Sequence, residues 1–124
     1  MDNFLKELGT GFSYMGHEYK IKIGNGYHSI DILLFNIKFN CYVVVELKVT
    51  EFKAEHVGQI TKYMNYIDRH VKESIHDNTV GIIICKKDNK FVMEYVSDDR
   101  IFATTYKLVS WPINQIKQKS YYKH

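Results

Sequence analysis

Hydrophobic and polar positions follow two different rhythms along this chain of 124 residues. From Phe12 to Ile23 the pattern is strand-like: Tyr19, Ile21 and Ile23 alternate with Lys20 and Lys22, the period of two that puts successive side chains on opposite faces. Gly24-Asn25-Gly26 is a turn signal that leads into the next strand. Two nearly unbroken apolar runs follow, Ser29 to Phe35 and Tyr42 to Val49. Val80 to Cys85 is a third, typical of a central strand buried on both faces. Phe91 to Val96 alternates again, and Lys87 to Lys90 would close a hairpin before it; Ala103 to Val109 reads as the last strand. The helical rhythm is clearest over Ala54 to Val71, where Val57, Ile60, Met64, Ile67 and Val71 step by three, four, three and four residues. Gln59, Tyr63 and Tyr66 or Arg69 lie off that stripe. A shorter amphipathic segment over 2–8 buries Phe4, Leu5 and Leu8; Asp2 or Asn3 would cap it, and Gly9 and Gly11 would stop it. Ser110-Trp111-Pro112 opens a short polar helix, and 121–124 reads as a loose tail. Helix, three strands, long helix and further strands predict an α/β fold, a mixed sheet flanked by helices on both faces. The length suits one domain over 1–124, with no internal repeat or linker.

Two of the apolar runs contain charges. Asp31 is surrounded by Ile30, Ile32, Leu33, Leu34 and Phe35, and Glu46 follows Val43-Val44-Val45. Charges in such company are costly unless something uses them. A four-residue loop over Ile37 to Asn40 pairs Asn36 with Cys41. Continuing inward, Phe35 meets Tyr42, Leu33 meets Val44, and Asp31 meets Glu46. In this register the two carboxylates face each other, with Lys48 two residues along on the same side. A slip of one residue would destroy the arrangement. Opposed carboxylates repel, so structure alone gives no reason to keep them. A divalent cation between them turns repulsion into binding, and hard oxygen ligands suit Mg²⁺, with Mn²⁺ as substitute. Such an ion activates water and neutralises phosphate, and Lys48 beside it would stabilise the developing negative charge. The acidic-x-Lys triplet by itself means little. It occurs four times, at Glu18, Glu46, Glu51 and Asp88, and is usually a solvated ion pair. What separates Glu46 is the aliphatic run before it and the Asp in register beside it.

Composition narrows the setting. Lys and Arg total 17 against 14 Asp and Glu, a net charge of +3, which is compatible with a nucleic-acid partner without requiring one. Fifteen of those cations are Lys, so contacts to phosphate backbone are expected in preference to base reading by Arg. Cys41 and Cys85 sit in strand-like runs and read as buried thiols of a cytoplasmic protein. No run approaches membrane-spanning length. His56, His70 and His76 have no metal-ligand spacing with either cysteine, which argues against zinc. Tyr27, Tyr42, Tyr63 and Tyr66 are expected in the core or half-buried rather than stacked on bases.

Asp31, then Glu46-Leu47-Lys48, then Gln59 within a helix, resembles the PD-(D/E)XK nuclease superfamily. Phe4-Leu5, Glu7-Leu8-Gly9, Gly11-Phe12, Tyr19, Glu51-Phe52-Lys53, Gly58-Gln59 to Tyr63, Val80 to Lys86 and Glu94-Tyr95 resemble more narrowly the C-terminal nuclease domain of YhcG-like bacterial proteins. The resemblance covers about residues 4 to 113. It implies a restriction-endonuclease-like α-β-β-β-α-β core and metal-dependent endonuclease chemistry on DNA by direct water attack. Asp31, Glu46 and the Leu47 carbonyl would be metal ligands, and Lys48 the catalytic lysine. Glu7 would be an extra acidic residue on the first helix, and Gln59 would lean over the site. The residue before Asp31 is Ile30, where the motif's name has proline; no ligand is lost by that. Cutting both strands would call for a homodimer. YhcG-like proteins carry a further N-terminal helical domain, which here would be a missing partner or absent. Two other readings share these residues: a non-catalytic nucleic-acid-binding or assembly module, and a structure-specific junction resolvase.

Overall fold

The computed structural model describes residues 11–87, 90–95 and 106–109. Strands β1 (Phe12–Ile23), β2 (Gly26–Asn36) and β3 (Cys41–Leu47) form an antiparallel meander. Helix α1 (Ala54–His70) then crosses over to β4 (Val80–Lys87), which runs parallel to β3. β5 (Lys90–Tyr95) and β6 (Tyr106–Val109) add antiparallel strands, so the sheet order equals the chain order, β1 to β6. One parallel pair among antiparallel ones makes the sheet mixed, as the sequence pattern predicts.

The β2–β3 hairpin has the expected register. Asn36 pairs with Cys41, Phe35 with Tyr42 and Leu33 with Val44. Local chemistry fixes it: the buried Asn36 side chain accepts the Phe39 N–H at 2.9 Å, and Asn40 adopts the left-handed φ of 55° that asparagine tolerates. Because side chains alternate along a strand, this register decides which residues of β2 and β3 share a face.

The core lies between α1 and the sheet. Ile30, Leu33, Val44, Ile60, Ile67 and Ile83 pack into one cluster, each worth about 1.5–3 kcal/mol of apolar burial. α1 approaches closely at Gly81, where an added Cβ would lie 2.6 Å from Met64 Sδ and 3.2 Å from Ile60 Cδ1. The apolar stripe of α1 is only partly as expected. Ile60 and Ile67 are fully buried, whereas Val57, Met64 and Val71 are half-buried. Tyr63, expected off the stripe, is buried at 3% exposure. Cys41 and Cys85 are both buried thiols. Tyr42 and Tyr66 are half-buried, but Tyr27, expected in or near the core, is 78% exposed. It stands next to the β1–β2 turn, where none of the described residues packs over the hairpin end.

The helix expected over 2–8, the polar helix after Ser110 and the tail over 121–124 lie outside the described residues. Among the described residues α1 is the helix that covers the sheet, and no helix is long and apolar enough to cross a membrane.

Candidate active site

β2 and β3 part company at the carboxylates. Their paired register ends at Ile32 and Val45, and one step further side chains link the strands. Asp31 N–H donates to Glu46 Oε1 at 3.1 Å, and Leu47 N–H donates to Asp31 Oδ2 at 2.6 Å. Asp31 is 4% exposed and Glu46 1%. Each carboxylate is therefore held by a backbone donor of the other's strand, and the second oxygens, Asp31 Oδ1 and Glu46 Oε2, are buried as well. Backbone N–H groups orient these charges but do not neutralise them.

Lys48 lies just past the end of β3. Its N–H donates to Ile84 O of β4 at 2.8 Å. In a planar trans peptide the preceding carbonyl points the opposite way. The Leu47 carbonyl is thus directed away from β4, toward the β2 side where Asp31 lies. The Lys48 side chain is half-buried, and its Nζ donates to Gln59 Oε1 on α1 at 2.7 Å. Gln59 Nε2 in turn donates to Tyr63 OH at 3.1 Å. Since an ammonium can only donate, the amide orientation of Gln59 is dictated by Lys48. Tyr63 is thus a member of the site that the hydrophobic pattern did not single out. Its signal was available: four residues separate it from Gln59, one helical turn on the same face.

A cleft of about 530 Å³ opens beside Lys48 and Gln59 and is walled by His28, Glu55, His56, Gly58, Lys62 and Tyr63 as well. Asp31 and Glu46 do not line it; they lie beneath the surface. His56 is a second residue the sequence did not place here. It is buried, its Nδ1 accepts the Lys53 N–H at 3.1 Å, and burial followed by the charge of Lys48 pushes its pKa down. Among the described residues no three His, Cys, Asp or Glu converge on one point. The carboxylate pair with the Leu47 carbonyl is instead a set of hard oxygen donors, suited to a small divalent cation whose remaining positions go to water and substrate. Glu7 lies outside the described residues.

The family model of the YhcG PDDEXK nuclease domain matches residues 1–120. The chain belongs to that family. It is also similar to "Putative nuclease YhcG" of Escherichia coli (strain K12), with 26% identity over 109 residues, 86% of this chain. It spans only 29% of that relative's length. No solved structure matches the chain. In a PDDEXK nuclease domain, an acidic residue on one strand and an acidic-x-Lys on the next give the family its label. Here Asp31 lies on β2 and Glu46-Leu47 on the next strand, β3, with Lys48 just past its end.

Proposed function

We propose that this domain is an endonuclease that hydrolyses DNA phosphodiester bonds with Mg²⁺, Mn²⁺ being able to substitute. The observation that carries the reading is the interlocked pair of buried carboxylates, Asp31 and Glu46, next to a lysine held by Gln59. Asp31, Glu46 and the Leu47 carbonyl would hold the ion. Bound there, a divalent cation would lower the pKa of a coordinated water and offset the charge of the phosphate. Lys48 presents a compact positive charge to the phosphoryl oxygens, where negative charge grows as water attacks. Gln59 fixes the lysine head and Tyr63 fixes Gln59, so that charge is aimed before substrate arrives. Glu7 would add a carboxylate for the ion or the water. A further N-terminal helical region or partner would select the target, and the chain's match to only 29% of its relative's length leaves room for one. Cutting both strands of a duplex would use two copies of the domain. A cytoplasmic setting would keep both cysteines as thiols.

The test is cleavage of supercoiled, linear and branched DNA with Mg²⁺ or Mn²⁺. The parent is expected to cut, Asp31→Ala to lose all cutting, and Lys48→Ala to lose about 10²-fold or more in rate. A Lys48→Ala protein that cuts as fast as the parent removes the lysine from the mechanism. A parent that neither cuts nor binds the ion in calorimetry overturns the enzymatic reading.

A further inference from the structure

We propose that the face of α1 beyond Gln59, with the β1–β2 hairpin, is a track for an unpaired strand of nucleic acid. The proposal rests on the nuclease reading only for where the track begins, at Lys48.

A second cavity, about 320 Å³, lies between the hairpin turn and the C-terminal half of α1. Lys22, Lys62 and Arg69 line it, together with Asn65 and Tyr66, and among the described residues no carboxylate does. The chain as a whole has 17 cationic side chains against 14 acidic ones, so an average surface with three cations would also hold two or three anions. This lining concentrates positive charge well beyond the average. Lys62 lines the cleft beside Lys48 too, so the two hollows are neighbours along α1. Gln59, Lys62, Tyr66 and Arg69 step by three and four residues along one helical face. At 1.5 Å per residue the path from Gln59 to Arg69 is about 15 Å, enough for a few nucleotides.

Tyr27 supplies what a purely electrostatic face lacks. It is 78% exposed, pairs with Lys22 across the hairpin, and Lys22 Nζ sits 5.4 Å from its ring centroid. An exposed ring held beside Lys22, one of the cations that line the cavity, is a platform on which a base can stack. Bases already stacked inside a duplex do not offer a face to it. Phosphate contacts from Lys22, Lys62 and Arg69 with one aromatic platform therefore favour single strands over duplex.

The experiment measures binding of a short fluorescein-labelled oligothymidine, and of a duplex of equal length, by anisotropy in EDTA across a salt series. The Lys22→Gln/Arg69→Gln double variant should bind the single strand at least about tenfold more weakly, and its log–log salt slope should fall by about 0.7 per charge removed. Tyr27→Ala should cost at least about fivefold on the single strand and leave duplex binding within about twofold. All three side chains are exposed, so these variants should fold, which far-UV circular dichroism checks. Unchanged affinity in both variants overturns the track. An equal loss on duplex with Tyr27→Ala overturns its preference for unpaired strands. Binding without cation does not depend on catalysis. A parent that binds through these residues but cuts nothing keeps the track and removes the nuclease reading. A parent that cuts while its variants bind unchanged does the reverse.

Discussion

Two backbone N–H groups, those of Asp31 and Leu47, tie the carboxylates at the fork between β2 and β3. This geometry explains how two like charges can be buried side by side: each is oriented by a donor that would otherwise be left without its ladder partner. The neighbouring position on β1 carries its own signature. Glu18 falls between the pairs His17–Ile32 and Tyr19–Ile30, so it stands opposite Asp31. It has a left-handed φ of 48°, and its Oε1 is buried with no hydrogen-bond partner among the described residues. A glutamate in that conformation costs about 1 kcal/mol, a cost asparagine avoids. Glu18→Asn should therefore raise unfolding free energy by about 0.5–1 kcal/mol in urea titration. A loss of stability would mean that the carboxylate is stabilising where it stands.

Among the elements, α1 has the largest say over the site because it carries Gln59 and Tyr63. Its seat on the sheet depends on the missing side chain at Gly81. Its start depends on His56. Lys53, at the N-cap, offers no side-chain acceptor, and instead its N–H is received by His56 Nδ1 while His56 N–H donates to Lys53 O at 3.0 Å. The imidazole serves the role a glutamine usually plays three residues into a helix. Burial, then Lys48, push the His56 pKa below that of an unfolded chain, Lys53 adding to this and Glu55 opposing it. The unfolded state then binds more protons, so stability is full above about pH 6.5 and falls as pH drops through the lower folded value. His56→Gln keeps an acceptor but does not titrate. Melting curves at pH 7.5 and pH 5.5 should show a smaller acid-induced loss for the variant than for the parent. Equal losses would show that His56 is not the group responsible.

For the whole molecule, the proposed metal site at Asp31 and Glu46 would make stability depend on the ion. A ligand that binds only the folded state stabilises it by about 2.7 kcal/mol at a hundred times its Kd. Millimolar Mg²⁺ or Mn²⁺ should accordingly raise the melting temperature of the parent by about 5 °C or more. Asp31→Ala should show no such rise, because one ligand is gone and with it the repulsion that the ion would relieve. A rise of equal size in both proteins would put the ion elsewhere. The charge pattern operates at this scale too. A net charge of +3 is small, and what matters for a nucleic-acid partner is that Lys22, Lys62 and Arg69 gather on one side.

The sequence by itself determined the strands, the long helix and the β2–β3 register. Each follows from local periodicity and from turn residues such as Asn36 and Asn40, which act over a few positions. That register was enough to bring Asp31 beside Glu46. What it could not reveal was which side chains α1 would hold against the sheet. The seating at Gly81, the Lys48–Gln59–Tyr63 chain and the entry of His56 into the cleft all depend on contacts between distant segments. Tyr27 shows the same limit from the other direction. Its apolar ring reads as core in one dimension, and only the packing of the hairpin end leaves it in solvent. Periodicity tells a chain which face is apolar, but the tertiary structure decides what, if anything, covers it.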